Sequence, residues 1–234
     1  MHGGDLTSGH GVRVGDVLAG KYRVERVLVA GGMGVVVAAH HIILDEKVAL
    51  KFLLPDARAN PDAVARFNRE AQVTIRIKNE HVARVFDVGQ LENGSPYIVM
   101  EYLDGSDLAA WLAQRGPLPI DQAVDFVLQA CEAISEAHTL GIVHGDLKPA
   151  NLFCVKKPDG TLSVKVLNFG ISEAVDRRTD IGSLGVILFE LVAGRAPAAL
   201  EAVLARCLEK DPEGRYQTVA EMALALQPFG TSRR

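Results

Sequence analysis

The sequence has few cysteines, no surplus of basic residues and no internal repeat, and these absences exclude several classes of protein. The three cysteines, Cys131, Cys154 and Cys207, are odd in number, far apart and flanked by apolar residues. This pattern does not fit a disulfide framework or a metal site, and it predicts buried free thiols in a reducing compartment. The net charge of -4 argues against a general nucleic-acid binder, because such proteins carry an excess of lysine and arginine.

No apolar run is long enough to cross a membrane. The longest stretch, Ile181 to Val192, contains Glu190 and falls short of the roughly 20 residues that a spanning helix needs. The start, Met1 to Val12, is rich in glycine, histidine and serine, which indicates a flexible tail rather than a signal peptide. We therefore expect a cytoplasmic protein without a membrane span.

The first part of the chain is typical of strands with one helix between them. Apolar and β-branched runs predict five strands, at Tyr22–Val29, Val35–Ala39, Lys47–Leu54, Val82–Val88 and Tyr97–Leu103. Asn60 followed by Pro61 predicts a helix start. Val64, Phe67, Ala71 and Ile75 then recur at helical spacing, which predicts one apolar face.

The remainder is typical of helices, with one strand pair. Apolar spacing from Val124 to Ile134 predicts a long amphipathic helix, and Ile181–Leu191 predicts a helix that is buried on nearly every face. Thr218 and Glu221 form a capping-box pattern before an apolar run. Short strands are expected at Leu152–Val155 and Ser163–Leu167, joined by a turn.

Three features in the first part are compatible with phosphate binding, although each is weak alone. The glycines Gly31, Gly32 and Gly34 lie between two predicted strands, where backbone N–H groups can approach phosphate oxygens. Lys51 lies in an otherwise apolar strand. Glu70 lies on the following helix near its apolar face and could pair with Lys51.

The octet His144-Gly145-Asp146-Leu147-Lys148-Pro149-Ala150-Asn151, followed by Asn168-Phe169-Gly170, is much more specific. Asp146 is placed to accept a hydroxyl proton, and Lys148 can neutralise charge on a transferred phosphoryl group. Asn151 offers an amide oxygen to a metal ion. These are the parts of a phosphoryl-transfer site.

These motifs resemble those of the bacterial Ser/Thr protein kinases that share the eukaryotic kinase fold. The resemblance runs from about Lys21 to Leu226. It implies an α+β, two-lobed fold with a crevice between a β-rich N-lobe at 21–103, holding five strands and one helix, and a shortened helical C-lobe at 104–228. Flexible tails are expected at 1–20 and 229–234.

The resemblance also implies an ATP site. Val36 and Ala49 would cover one side of the adenine and Phe153 the other, with Met100 as gatekeeper. The remaining expected ATP-site residues are Leu28, Gly31, Gly32, Gly34, Lys51, Glu70, the backbone of Glu101 and Leu103, and Asp107 toward the ribose. The family's magnesium ligands would correspond to Asn151 and Asn168.

The sequence departs from the family at two positions that handle charge. Asn168 stands where the family has a magnesium-chelating aspartate, and magnesium prefers carboxylate oxygens. Because metal stabilisation of the phosphoryl group is worth several kcal/mol, we expect a large loss of turnover and weak magnesium binding. Gly145 replaces the arginine that pairs with a phosphorylated activation loop in the family.

Two segments that handle the protein substrate in the family are missing. The sequence passes from Ile171–Ala174 directly to Val175, without an activation segment or its Ala-Pro-Glu anchor, so Arg215 has no evident acidic partner. A second gap follows Gly194–Pro197, where the substrate-docking helix has no counterpart.

Three interpretations follow. The first is a pseudokinase that binds ATP and serves a regulatory or scaffold role, with another protein kinase or signalling protein as partner. The second is a weakly active Ser/Thr kinase that uses Asp146, Lys148 and Asn151 with one metal ion. The third is a shortened or decaying kinase copy that does not fold stably and has no activity of its own.

Overall fold

The computed structural model describes residues 12–31, 34–169 and 176–231. These residues form two compact units. The first unit extends to Ile75 and resumes from Arg84 to Leu103, and the second comprises Arg76–Ala83 and the chain from Asp104 onward. The two units are described separately below.

The first unit is built on a six-stranded antiparallel sheet with the order β1-β2-β3-β4-β6-β5. Its strands are β1 (Val17–Leu18), β2 (Tyr22–Ala30), β3 (Gly34–His41), β4 (Glu46–Leu53), β5 (Val85–Gln90) and β6 (Pro96–Glu101). Alternate residues of these strands point to opposite faces. One face carries an apolar cluster that includes Val35, Val37, Leu50, Phe52 and Val99.

The other face of this sheet is packed by a helix. After the short helix α1 (Pro55–Arg58), helix α2 (Pro61–Thr74) begins at Asn60. The Asn60 side chain accepts hydrogen bonds from the backbone N–H groups of Asp62 and Ala63, which confirms the predicted cap. Phe67 and Ala71 of α2 pack against Leu53 and Ile98 of the sheet.

The structure differs from the expected first unit in three respects. Val17–Leu18 adds a sixth strand by pairing with β2, and Val12 is buried, so part of the expected N-terminal tail is structured. The strand predicted at Val82–Val88 instead spans Val85–Gln90, because Val82 belongs to the second unit, where it bridges Val166. A two-residue strand carries too little alternation to be seen in a sequence.

The second unit is mainly helical. It contains a three-stranded sheet of β7 (Gly105–Asp107), β8 (Leu152–Lys156) and β9 (Leu162–Val166). Its helices are α3 (Leu108–Arg115), α4 (Ile120–Thr139), α5 (Arg178–Val192), α6 (Ala198–Cys207) and α7 (Val219–Leu226). Among the described residues, no helix combines the length and apolarity that a membrane crossing requires.

Helix α5 differs from the expectation of burial on nearly every face. Ile181, Leu184 and Leu188 are completely buried, whereas Val186 and Phe189 are 43% and 50% exposed. The predicted interpretation was wrong for this side of the helix. Only a few residues connect α5 to α6, so little of the chain is available to cover the side of α5 that carries Val186 and Phe189.

Thr218 and Arg215, both near the C-terminal end of the described residues, test two predictions made from the sequence. Thr218 Oγ1 accepts from the N–H of Glu221, which confirms the cap of α7. Arg215 donates to the backbone carbonyl oxygens of Glu209 and Arg178, so carbonyl groups take the place of the acidic partner that the sequence does not offer.

The three cysteines are buried free thiols, as predicted. Burial raises the pKa of Cys154 to about 11 and that of Cys207 to about 12. Desolvation likewise raises the pKa of Cys131. All three therefore remain in the unreactive thiol form at neutral pH.

Candidate nucleotide-binding and catalytic residues

The first unit collects several predicted ATP-site residues on one face of its sheet. Residues directly opposite each other on neighbouring strands share a face, and Val36 pairs with Lys51 while Ala49 pairs with Met100. Gly34 lies on the same face opposite Leu53. A Cβ at Gly34 would come within 2.8 Å of the Phe52 carbonyl oxygen, so glycine permits this close strand contact.

Lys51 and Glu70 form the predicted ion pair. The Lys51 Nζ atom lies 2.6 Å and 2.7 Å from the two carboxylate oxygens of Glu70. Their side chains are only 21% and 14% exposed. Such a charge-assisted pair fixes an ammonium group in a partly shielded position, where it is able to meet an anionic ligand.

The other expected ATP-site residues of the first unit lie at less regular positions. Leu28 lies in the irregular pairing between Val27 and Val29 of β2, and Gly31 follows that strand. Glu101 ends β6, where its N–H donates to the Arg84 carbonyl oxygen, and Leu103 is the last residue of this part of the unit. Gly32 lies outside the described residues.

In the second unit, the expected nucleotide residues Asp107 and Phe153 face each other in the pairing of β7 with β8. Asp107 also caps helix α3, because its Oδ1 atom accepts from the N–H of Ala110 at 2.9 Å. Phe153 is half-buried.

The side chains of residues 144–151, the candidate catalytic loop, are close together in the second unit. Lys148 Nζ lies 2.7 Å from Asp146 Oδ2, and both side chains are about half exposed, at 52% and 42%. Asn151 is buried, and its Nδ2 atom donates to the Asp146 carbonyl oxygen at 2.6 Å. The general-base candidate, the lysine expected to neutralise the phosphoryl group and the metal-ligand candidate therefore form one connected group.

The two amides expected at the metal position bond to each other. Asn168 Nδ2 lies 3.0 Å from Asn151 Oδ1. The direction of this bond follows from the neighbouring contact: the Asp146 carbonyl can only accept, so Asn151 must turn its NH2 group toward it and its oxygen toward Asn168. Asn168 adopts a positive φ of 62°, a conformation that asparagine tolerates better than most residues.

A buried aspartate that the sequence reasoning missed holds the catalytic loop. Asp180 at the start of α5 is completely buried. It accepts from the backbone N–H of His144 at 3.0 Å, from that of Gly145 at 2.8 Å and from His138 Nε2 at 2.8 Å. Gly145 has a φ of 73°, which glycine adopts without steric cost.

The sequence signal that could have identified Asp180 is its position directly before the long apolar run that begins at Ile181. When that run is buried, an acidic residue beside it is buried with it. His138, at the end of α4, was missed as well. No short motif connects these two residues, because they are 42 positions apart.

His144 connects the loop to the residues around Asn168. Its Nε2 atom lies 2.9 Å from the Leu167 carbonyl oxygen, and its Nδ1 atom lies 3.3 Å from the N–H of Asp146. Nε2 therefore carries the proton and Nδ1 accepts. The ring contacts the buried Phe169 edge-on at 5.0 Å. Burial lowers the pKa of His144, partly offset by Leu167, Asp180 and Asp146.

Residues 22–180 match the protein kinase domain family. Serine/threonine-protein kinase Pkn1 of Myxococcus xanthus is 33% identical over 269 residues, covering 90% of this chain and 38% of Pkn1. Serine/threonine-protein kinase PknB of Mycobacterium leprae is 33% identical over 266 residues, covering 88% of this chain and 42% of PknB. The chain thus spans less than half of either relative. Both alignments exceed its 234 residues, so the relatives contain segments that it lacks.

A solved structure shows the same likeness. The kinase domain of Mycobacterium tuberculosis PknI superposes with a TM-score of 0.77 at 28% identity, over 94% of this chain and all of that domain. The β-rich first unit and the helical second unit correspond to the N-lobe and C-lobe of the protein kinase fold.

Proposed function

The chain belongs to the protein kinase family, and from this premise we propose that it is a pseudokinase that binds ATP and transfers phosphate poorly or not at all. The observation that carries the proposal is the hydrogen bond from Asn168 Nδ2 to Asn151 Oδ1 at 3.0 Å. An amide donor occupies the oxygen that a magnesium ion would otherwise take.

The residues at this position do not fit a complete magnesium site. Magnesium prefers carboxylates and substrate phosphates in a near-octahedral arrangement, whereas Asn151 and Asn168 supply neutral amides that are bonded to each other. Nucleotide binding with little dependence on magnesium is therefore the expected behaviour.

ATP binding is supported by the intact charge pair of the first unit. Lys51 is held by Glu70 on the sheet face that also carries Val36, Ala49 and Met100. An ammonium group beside apolar side chains is suited to a ligand with an aromatic base and an anionic tail. The family uses ATP, which would supply the transferable γ-phosphoryl group.

A weakly active Ser/Thr kinase is the second candidate, and Asp146 favours it. The Asp146 carboxylate is about half exposed and contacts Lys148 at 2.7 Å, so an acceptor for a hydroxyl proton remains. The sequence lacks the family's activation segment before α5 and its docking helix before α6, which supports a regulatory or scaffold role beside another kinase or signalling protein in the cytoplasm.

Thermal unfolding of the full chain, titrated with ATP in the presence and absence of magnesium, tests the proposal. A ligand that binds only the folded state raises the midpoint. We expect ATP to raise it by a similar amount in both conditions. A transition that ATP does not shift would contradict ATP binding, and the absence of a cooperative transition would favour the third interpretation, a kinase copy without activity.

Asn168→Asp tests the impairment. This variant replaces the amide donor with a carboxylate facing Asn151 Oδ1, so a cation is needed between the two oxygens. We expect ATP binding to become dependent on magnesium and phosphate transfer to a general protein substrate to rise by about tenfold or more, which corresponds to about 1.4 kcal/mol or more. Asn93→Asp, which adds the same charge in an exposed turn, is the matched control. Wild-type transfer equal to that of Asn168→Asp would contradict impairment.

A further inference from the structure

Tyr102 is the one tyrosine of this chain that another enzyme is able to reach. The sequence contains four tyrosines, and the other three, Tyr22, Tyr97 and Tyr216, are only 3%, 5% and 6% exposed. Tyr102 is half-buried, and its hydroxyl group takes part in an exposed hydrogen bond. It lies in the first unit, directly after β6. The nucleotide function proposed above does not use its side chain.

Two basic side chains contact Tyr102. The Nη2 atom of Arg26 donates to the Tyr102 hydroxyl oxygen at 2.6 Å, and the Lys47 Nζ atom lies 4.6 Å from the centre of the ring. Both basic residues are exposed. A neutral hydroxyl group needs hydrogen-bond partners but no counter-charge, so two cations at one phenol form a site that suits a more highly charged group.

The pairing of the strands brings these side chains together. Val48 of β4 pairs with Glu101 of β6 in an antiparallel register, so the next residues along, Lys47 and Tyr102, are neighbours. Arg26 lies on β2, which is separated from β4 by β3 in the sheet. The two cations therefore come from two different strands, and the sheet of the first unit fixes the distance between their backbones.

The charges around Tyr102 are suited to a phosphate group. Lys47 also pairs with Glu25 at 2.9 Å, where the two side chains are 41% and 37% exposed. An exposed pair of this kind is weak, so Lys47 is able to exchange Glu25 for a stronger anion. A phosphate on the Tyr102 oxygen carries a charge of about -1.5 to -2 at pH 7 and has three acceptor oxygens. The guanidinium fork of Arg26 binds such a group through two parallel hydrogen bonds.

We propose that Tyr102 is a phosphorylation site, modified by a separate protein-tyrosine kinase and held after modification by Arg26 and Lys47. In the transfer, the Tyr102 oxygen forms a bond to the γ-phosphorus of ATP, the bond from that phosphorus to the ADP oxygen breaks, and the phenol proton passes to a base of the modifying enzyme. The phosphate then links β2 and β4 to the segment after β6. This inference does not depend on nucleotide binding by this chain, because the modifying enzyme binds the ATP.

Incorporation of phosphotyrosine at position 102 of the full chain during synthesis tests the receiving site. We expect the equilibrium constant for folding, from urea titrations without nucleotide, to rise by about threefold or more relative to the unmodified chain. Phosphorus NMR should find the second pKa of the phosphate below its ordinary value of about 6, because neighbouring cations favour the doubly charged form. Arg26→Gln and Lys47→Gln should each reduce both effects, whereas Arg66→Gln, at an exposed arginine of α2, should not.

Mass spectrometry of the chain purified from the cells that naturally produce it tests the modification itself. We expect phosphate on Tyr102 and none on the three buried tyrosines. Tyr102 without phosphate under every growth condition would overturn the proposal. So would a folding constant that does not rise or a phosphate pKa that does not fall in the phosphotyrosine chain. Equal reductions in Arg26→Gln and Arg66→Gln would show that net charge, rather than contact with Tyr102, produces the effect, and would overturn it as well.

Discussion

Two side chains with different expected tasks have different neighbours. Lys51 is expected to meet the phosphates of ATP, and Asn151 is expected to bind the metal ion. In the first unit, Lys51 retains a carboxylate partner, Glu70, at 2.6 Å. In the second unit, Asn151 has an amide neighbour, Asn168, at 3.0 Å. An ammonium held by a carboxylate keeps a positive charge available for an anion, whereas the two amides carry no formal charge that would attract a cation. Under the function proposed above, nucleotide binding and phosphate transfer are therefore expected to respond to different substitutions.

The largest effect is expected at the aspartate that holds the catalytic loop. Asp180→Ala leaves the N–H groups of His144 and Gly145 and the ring of His138 without their buried acceptor. Unsatisfied buried donors cost about 1–3 kcal/mol each, so we expect the free energy of unfolding to fall by at least about 3 kcal/mol. Urea unfolding measures this. Asp180→Asn, which keeps an acceptor oxygen, should lose less, and equal losses would argue against the hydrogen-bond explanation.

Breaking the charge pair of the first unit should remove nucleotide binding while leaving the catalytic loop unchanged. Lys51→Ala deletes the ammonium group and leaves Glu70 partly buried without it, so we expect ATP affinity to fall by about tenfold or more. The ATP-induced rise in unfolding midpoint measures the loss. Lys47→Ala is a matched control, because Lys47 lies on the same strand as Lys51, β4. It forms an exposed pair with Glu25 at 2.9 Å. An equal loss there would mean that any lysine of β4 serves.

Gly145→Ala tests the backbone of the catalytic loop. Its φ of 73° is in the left-handed region, which costs a residue with a side chain about 1–2 kcal/mol. We expect the free energy of unfolding to fall by about that amount, measured by urea unfolding. Gly141 has the same φ and open space around its Cβ position, so Gly141→Ala gives the strain cost by itself. A stability unchanged in Gly145→Ala would contradict the strained conformation.

The smallest expected effect is a pH dependence from His144. Burial lowers its pKa below the ordinary value of 6.5, so the folded state prefers the neutral ring. Its stabilising contribution is complete above pH 6.5 and is lost as the pH falls toward the lowered pKa of the folded state. We expect the unfolding free energy of the wild type to fall more steeply from pH 7.5 to 5 than that of His144→Gln. Parallel slopes in urea titrations would contradict this assignment.

Local patterns made the greater part of the fold predictable. The caps at Asn60 and Thr218 were predicted because each depends on side chains within three residues. The face of the sheet that carries Val36, Ala49 and Lys51 follows from strand alternation. By contrast, the pairing of Val17–Leu18 with β2 and the exposed side of α5 at Val186 and Phe189 depend on neighbours elsewhere in the chain, which local periodicity does not report.

By itself, the sequence determined the family, most of the longer strands and helices and the residues proposed for catalysis, because motif spacing and apolar periodicity are properties of the chain alone. Only the tertiary structure decided how these residues use their hydrogen bonds. The Asp146 carbonyl orients Asn151 so that its oxygen faces Asn168, and Asp180 fixes the loop from 35 and 36 positions away. Hydrogen bonds are directional and satisfy groups that are distant in sequence, so their partners are known only once the chain has folded.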